Sequence, residues 1–349
     1  MKRFRVSSLI VLVLVFTVNL TAFQQAPLQH VKGANLNIVT SLSIVADFAA
    51  QIGKGAFTVQ SIVTGTENPH IYEPTPSEIE LVANADLFIR FGIAGLEPWV
   101  DAVLLANPNV KVLTLVTQSM LRYDPLIEAL NPHVWMDPTI VKTMVAKIYE
   151  EIITLDPANS ATYLSNKEAY LAKLDALLAQ INATRLTLQN LKVVVHHPSM
   201  MYLLDLLGVE RVAIIEEHEG EEPSPEHIAD VVDKIITKNV SLIINQPQLD
   251  EKQVAEIARD TNIKIAELTP LLDVPDVEGF VLAQGSIITS YIKMIEYDLI
   301  ALKNPHEPPK IGDVVSFWFL IALNGSGFLA ISILVIVVRY RHKEDLPHV

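Results

Sequence analysis

Three histidines stand in loops whose sequences can aim a side chain. They are His70 in Asn68-Pro69-His70-Ile71-Tyr72-Glu73-Pro74, His133 in Asn131-Pro132-His133-Val134-Trp135, and His197 in Val193-Val194-Val195-His196-His197-Pro198. Proline fixes its own φ and keeps the preceding residue extended, so the two Asn-Pro approaches are stiff. An imidazole whose direction is set beforehand makes a good ligand for a divalent ion. Three such loops, far apart in sequence, can bring three ligands to one cleft of an α/β protein. His196 and His197 end a strand, and alternation sends them to opposite sides, so only one of them can face such a cleft.

The bulk composition narrows the partners. The chain has 349 residues, enough for two domains of ordinary size. Its formal net charge is -14, from 26 basic and 40 acidic residues, which argues against nucleic acid and is compatible with a cation. There is no cysteine, which removes disulfides, thiolate nucleophiles, cysteine zinc sites and a lipid-modified N-terminal cysteine.

The two ends suggest a compartment. Residues 1–22 carry Lys2, Arg3 and Arg5, then an apolar run, then Thr21-Ala22, the pattern of a secretory signal peptide; an uncleaved anchor is the alternative. Residues 314–338 carry no charge and would span roughly 37 Å as a helix, enough to cross a bilayer. Arg339, Arg341 and Lys343 follow, which would keep a tail of residues 339–349 in the cytoplasm. The expectation is a single-pass protein of the cell membrane, its ectodomain extracellular, with 304–313 as a stiff polar linker and 314–338 as the transmembrane helix.

Strand and helix signals alternate between the ends, as in parallel βα units. Strands are expected at 36–40, 59–63, 87–91 and 111–115, and again at 192–196, 211–215, 242–245 and 264–268. Helical spacing occurs at 41–52, 77–83, 98–106, 198–207, 225–238, 250–261 and 283–302. Residues 157–190 break the rhythm: Pro157 opens a stretch with apolar residues at helical spacing and no further proline. The expected architecture is α/β, with two lobes of parallel sheet flanked by helices at 35–156 and 191–303. One long interlobe helix at 157–190 joins them, and the metal site lies in the cleft.

At this point the residues resemble a known family, the metal-binding components of zinc and manganese ABC transporters of the ZnuA/TroA type. The segments that carry the resemblance are 68–77, Asn131-Pro132-His133-Val134-Trp135-Met136-Asp137-Pro138, His197 with Tyr202 five residues on, and Glu222-Pro223-Ser224-Pro225. It covers roughly residues 35–302. It implies a non-enzymatic, monomeric solute-binding protein that captures zinc and delivers it to an ABC permease with its ATPase. His70 and His133 would come from the first lobe and His197, selected by the Tyr202 spacing, from the second.

In this family a carboxylate of the second lobe completes the site, but this chain has Leu268-Thr269-Pro270-Leu271 there. Glu267, Asp273, Asp276, water and the acidic loop 216–222 are the candidates, with Glu267 preferred because alternation puts it opposite Leu268. Three imidazoles with at most one carboxylate favour zinc; manganese is the alternative. Three histidines with an open fourth position also describe a zinc-dependent hydrolase ectodomain, although no His-Glu-x-x-His or Gly-x-Ser-x-Gly motif is present. An adhesion or sensor ectodomain is a third reading.

Overall fold

The computed structural model describes residues 36–309, with 66, 217 and 218 excepted. The first sheet is built from β1 (Asn37–Leu42), β2 (Thr58–Val63), β3 (Leu87–Arg90) and β4 (Lys111–Thr114). All are parallel, in the order β2-β1-β3-β4. β1 is buried along nearly its whole length, as expected of a central strand covered on both faces. Parallel neighbours need crossovers, supplied here by α1 (Ser43–Gly53), α2 (Pro76–Ala83) and α3 (Val100–Leu104). α2 begins on a capping box, Thr75 with Glu78, and has Pro76 in its first turn.

A short hairpin follows, β5 (Arg122–Asp124) with β6 (Ala129–Asn131). Next comes α4 (Pro138–Leu155), a helix not expected from the sequence. Its signals are nonetheless present. Asp137 accepts a hydrogen bond from Thr139 N (2.8 Å), Pro138 takes the first position, and Val141, Met144, Val145, Ile148 and Ile152 form its buried face.

The long helix α5 runs Ser160–Arg185, 26 residues and about 39 Å at about 1.5 Å per residue. It is shorter than 157–190 at both ends. Pro157 opens a separate 3-10 turn, Pro157–Asn159. At the other end, the Thr187 hydroxyl donates to the Thr184 carbonyl (2.7 Å) and Asn190 takes a left-handed φ of 64°. α5 buries Tyr163, Tyr170, Leu174, Leu177 and Ile181, and it packs on α1 and α4 as well as on elements of the second half.

The second sheet comprises β7 (Lys192–Val195), β8 (Glu210–Ile214), β9 (Leu242–Asn245) and β10 (Lys264–Glu267), again all parallel, in the order β10-β9-β7-β8. Counted from the opposite edge, this is the same second-first-third-fourth order as in the first sheet. Its crossovers are α6 (Met201–Leu207), α7 (Pro225–Thr237) and α8 (Lys252–Thr261). The expected helix at 283–302 is only α9 (Tyr291–Ala301), because β12 (Ile287–Ile288) pairs with β11 (Val274–Pro275) as a two-stranded ribbon. One apolar cluster runs from the first sheet through α4, α5 and α6 to the inner face of the second. A smaller one lies beneath α7 and α8.

The fold is thus α/β, with parallel sheets flanked by helices. The expected signal peptide, transmembrane helix 314–338 and tail 339–349 lie outside the described residues. Among the described residues no helix is long and apolar enough to cross a membrane.

Candidate metal centre

The two Asn-Pro-His motifs fold alike, and the asparagine has a role the sequence reading missed. In each, the side-chain oxygen accepts the backbone N–H of the histidine two residues on: Asn68 Oδ1 from His70 N (3.0 Å) and Asn131 Oδ1 from His133 N (3.0 Å). These are Asx-type turns, and they turn the chain sharply at the histidine. The recurrence of Asn two residues before His was the readable signal.

Each ring is then fixed through Nδ1. His70 Nδ1–H donates to the Gly95 carbonyl (2.8 Å). His133 Nδ1–H donates to Asn131 Oδ1 (3.0 Å). The orientation of that amide is itself determined, because Asn131 Nδ2 donates to Asp124 Oδ2 (3.0 Å) and to the Pro198 carbonyl (2.9 Å), both acceptors. His197 Nδ1–H is bonded to the Glu216 carboxylate, with a Glu219 oxygen 3.6 Å away. A ring nitrogen that faces an acceptor carries the proton, so in the neutral form all three imidazoles present a bare Nε2.

Those three nitrogens converge. His133 Nε2 is 3.3 Å from His70 Nε2 and 3.2 Å from His197 Nε2. His133 and His197 are buried. Around a tetrahedral ion with bonds of about 2.0–2.1 Å, neighbouring nitrogens lie about 3.3–3.4 Å apart. Burial and the two neighbouring imidazoles hold the His133 pKa well below the usual histidine range, and burial does the same to His70 to a lesser degree. Neutral imidazole is the ligand form. Trp135, 5.3 Å from the His133 ring, seals the inner side, and its indole N–H donates to the Pro270 carbonyl (2.7 Å).

A buried ion pair supports the His133 loop from behind. Arg211 of β8 donates twice to Asp124 of β5, at 2.8 and 3.0 Å, and Asp124 in turn holds Asn131. Burial would raise the Asp124 pKa, but the Arg211 bonds outweigh it and keep this group a carboxylate. Tyr202 adds a second brace between the two halves: its hydroxyl donates to the Asn131 carbonyl (3.0 Å) and accepts from Arg122 N (2.9 Å).

Glu267 is not brought to the three histidines. β9 and β10 pair with Asn245 opposite Glu267, and the Glu267 carboxylate takes the Asn245 amide at 3.1 Å to both oxygens. The pairing register gives Glu267 the Asn245 amide as its neighbour. Asp276 is occupied by the N–H groups of Phe280, Val281 and Leu282 at 2.8–2.9 Å. The carboxylate that does reach the cluster is Glu216, on the outer nitrogen of His197. Burial pushes its pKa up, but its hydrogen bonds to His197 and to the Gly220 N–H bring it below the usual range. His196 faces elsewhere, with Nδ1 2.8 Å from Asn245 Oδ1.

Two parallel-sheet halves that share a cluster of bare imidazole nitrogens define a cleft-type metal-binding protein. The chain belongs to the family described as "Zinc-uptake complex component A periplasmic", which matches residues 38–304. The manganese-binding lipoprotein MntA of Halalkalibacterium halodurans is 27% identical over 271 residues, 76% of this chain and 87% of its own. The high-affinity zinc uptake system protein ZnuA of Bacillus subtilis is 25% identical over 289 residues, 78% of this chain and 88% of its own. The crystal structure of a zinc-bound ZnuA deletion mutant superimposes with a TM-score of 0.67 at 25% identity, covering 79% of this chain and all of that one.

Members of this family are substrate-binding proteins of ABC transporters, not enzymes, which removes the hydrolase reading. The relatives also correct the expected localisation. They are lipoproteins or periplasmic binding proteins, not single-pass membrane proteins.

Proposed function

We propose that this chain captures a divalent metal ion, zinc in the first place, on the Nε2 atoms of His70, His133 and His197, and delivers it to the permease of an ABC importer powered by its ATPase. The observation that supports this most strongly is the convergence of three Nε2 lone pairs, each ring held by an acceptor on its other nitrogen. Lone pairs crowded together in a buried place repel unless a cation lies among them. Residues 35–156 and 191–303 act as the two lobes, and the ion ties them together. α5, packed on both, keeps their relative movement small.

Zinc is favoured over manganese because three imidazoles and no carboxylate meet at the centre, whereas manganese suits carboxylate and water. Manganese remains the second reading, supported by the manganese-binding relative. Competition between the two ions for the metal-free protein tests the choice. Zinc should displace manganese at equal concentration, and the bound zinc should resist a hundredfold excess of manganese. Retention of manganese against equimolar zinc would overturn the zinc reading.

A further inference from the structure

The loop that carries His70 is held by a second loop. The chain between β3 and α3, Gly92-Ile93-Ala94-Gly95-Leu96-Glu97-Pro98-Trp99, grips the His70 segment at two points. The Gly95 carbonyl accepts the His70 Nδ1–H (2.8 Å) and so fixes the ring. The Trp99 indole N–H donates to the Pro69 carbonyl (3.0 Å), one residue before the ligand, and so fixes the backbone. Trp99 is buried, and the Tyr72 ring stands 5.8 Å from it.

Trp99 is packed in place, whereas Gly95 is not. A Cβ on Gly95 would meet nothing within 4 Å, so no neighbour wedges the residue from that side. Its φ of 82°, and the 75° of Gly92, are left-handed values that glycine adopts freely. Such a backbone is held by hydrogen bonds or not at all. Two of them close the bend 92–97. The Leu96 N–H donates to the Ile93 carbonyl (3.2 Å), a contact local to the tip. The other spans the whole bend: Glu97 Oε1 accepts the Gly92 N–H at 2.6 Å. Glu97 is only 6% exposed, and its second oxygen has no partner. Burying an acid in that condition is costly, and the Gly92 bond is the contact that offsets it.

We propose that Glu97 is a positioning residue of the metal centre: by clasping Gly92 it holds the Gly95 carbonyl where that carbonyl keeps the His70 proton on Nδ1 and leaves Nε2 bare for the ion. This rests on the three-histidine reading above. Glu97 acts through the bend and not by contact with the ion. His133 and His197 have acceptors of their own, Asn131 and Glu216, so the effect of Glu97 falls on His70 alone. Loosening the clasp frees the carbonyl, and the His70 proton then divides between the two ring nitrogens. The tautomer with Nε2–H offers the ion no lone pair.

The test compares metal-free wild type with Glu97→Leu, Glu97→Asp, Glu97→Gln and His133→Ala. Nitrogen NMR of the imidazoles reads the tautomers, and zinc titration against a chelator reads the affinity. Leucine has no acceptor, and aspartate, one methylene shorter, does not reach Gly92. In both, the His70 nitrogens should shift toward a mixture of tautomers while those of His133 and His197 stay as in wild type. Zinc should weaken about tenfold, the low end for partners of metal-ligating histidines. Glu97→Gln keeps an acceptor at the same reach and should restore the His70 signals and most of the affinity. Glu97→Asp carries the test should Glu97→Leu fail to fold. Unchanged His70 signals in the leucine and aspartate variants, equal disturbance of all three rings, loss of the fold in both, or a glutamine variant that behaves like the leucine one would each overturn the proposal while leaving the three histidines in place. Equal zinc binding by wild type and His133→Ala would overturn the reading beneath it.

Discussion

His133 Nε2 lies 3.2 Å from His197 Nε2, and when both rings are neutral neither nitrogen has a hydrogen for the other. Both rings have their proton on Nδ1, His133 toward the Asn131 amide oxygen and His197 toward Glu216. A contact at hydrogen-bond distance without a hydrogen is unfavourable, and the two halves of the molecule are closed upon it. The arrangement makes physical sense with a cation between the nitrogens.

Glu216 should matter through His197. Its carboxylate fixes the tautomer and makes the ring a stronger donor to metal. Glu216→Gln should weaken zinc about ten- to a hundredfold with little effect on melting of the metal-free protein. Titration against a chelator of known affinity, together with a thermal melt, separates the two. A variant with wild-type affinity would show that the Glu216 contact has no part in metal binding.

The Arg211–Asp124 pair should be needed for stability. The side chains are 6% and 0% exposed. Arg211→Met leaves a buried carboxylate without its partner, which costs about 3–5 kcal/mol. Urea denaturation of the metal-free protein would reveal it as a lower midpoint. A loss below about 1 kcal/mol would mean that Asp124 simply takes up a proton instead.

Glu97 gives a pH dependence of definite sign. Burial pushes its pKa up to about 7, against the Gly92 N–H bond, and one of its oxygens is unpaired. Between the unfolded value, about 4.3, and this one the folded state holds a proton that the unfolded state lacks. Its contribution is therefore full below about pH 4 and is lost as the pH rises through 7. Glu97→Gln should be more stable than wild type by roughly 1–3 kcal/mol at pH 8, with the gap closing toward pH 5. A gap independent of pH between 5 and 8 would refute the assignment.

Much of the framework was legible in the chain because parallel strands are buried on both faces and read as short apolar runs; Leu242–Asn245 is one whose bounds match the sequence reading. What could not be read depends on register and long-range packing. Glu267 faces Asn245 because two strands pair at that register, and nothing local to either strand records it. Glu216 belongs to the acidic loop that the sequence did single out, but its place on the outer nitrogen of His197 depends on packing; Gln246 and Gln248, which line the space beside the histidines, lack the charge or motif that drew attention to the histidines. α4 is a different kind of miss: its cap, first-turn proline and apolar spacing are all local and legible in the sequence.

The central claim is that one divalent ion is shared by His70, His133 and His197. Calorimetric titration of the metal-free protein with zinc tests it most directly, with His70→Ala, His133→Ala, His197→Ala and His196→Ala run beside wild type. Wild type and His196→Ala should bind one equivalent with the same affinity. Each of the other three should lose at least a hundredfold, since a ligand is removed from a four-coordinate site. Undiminished binding in His133→Ala, or a loss in His196→Ala equal to that in His197→Ala, would contradict the account.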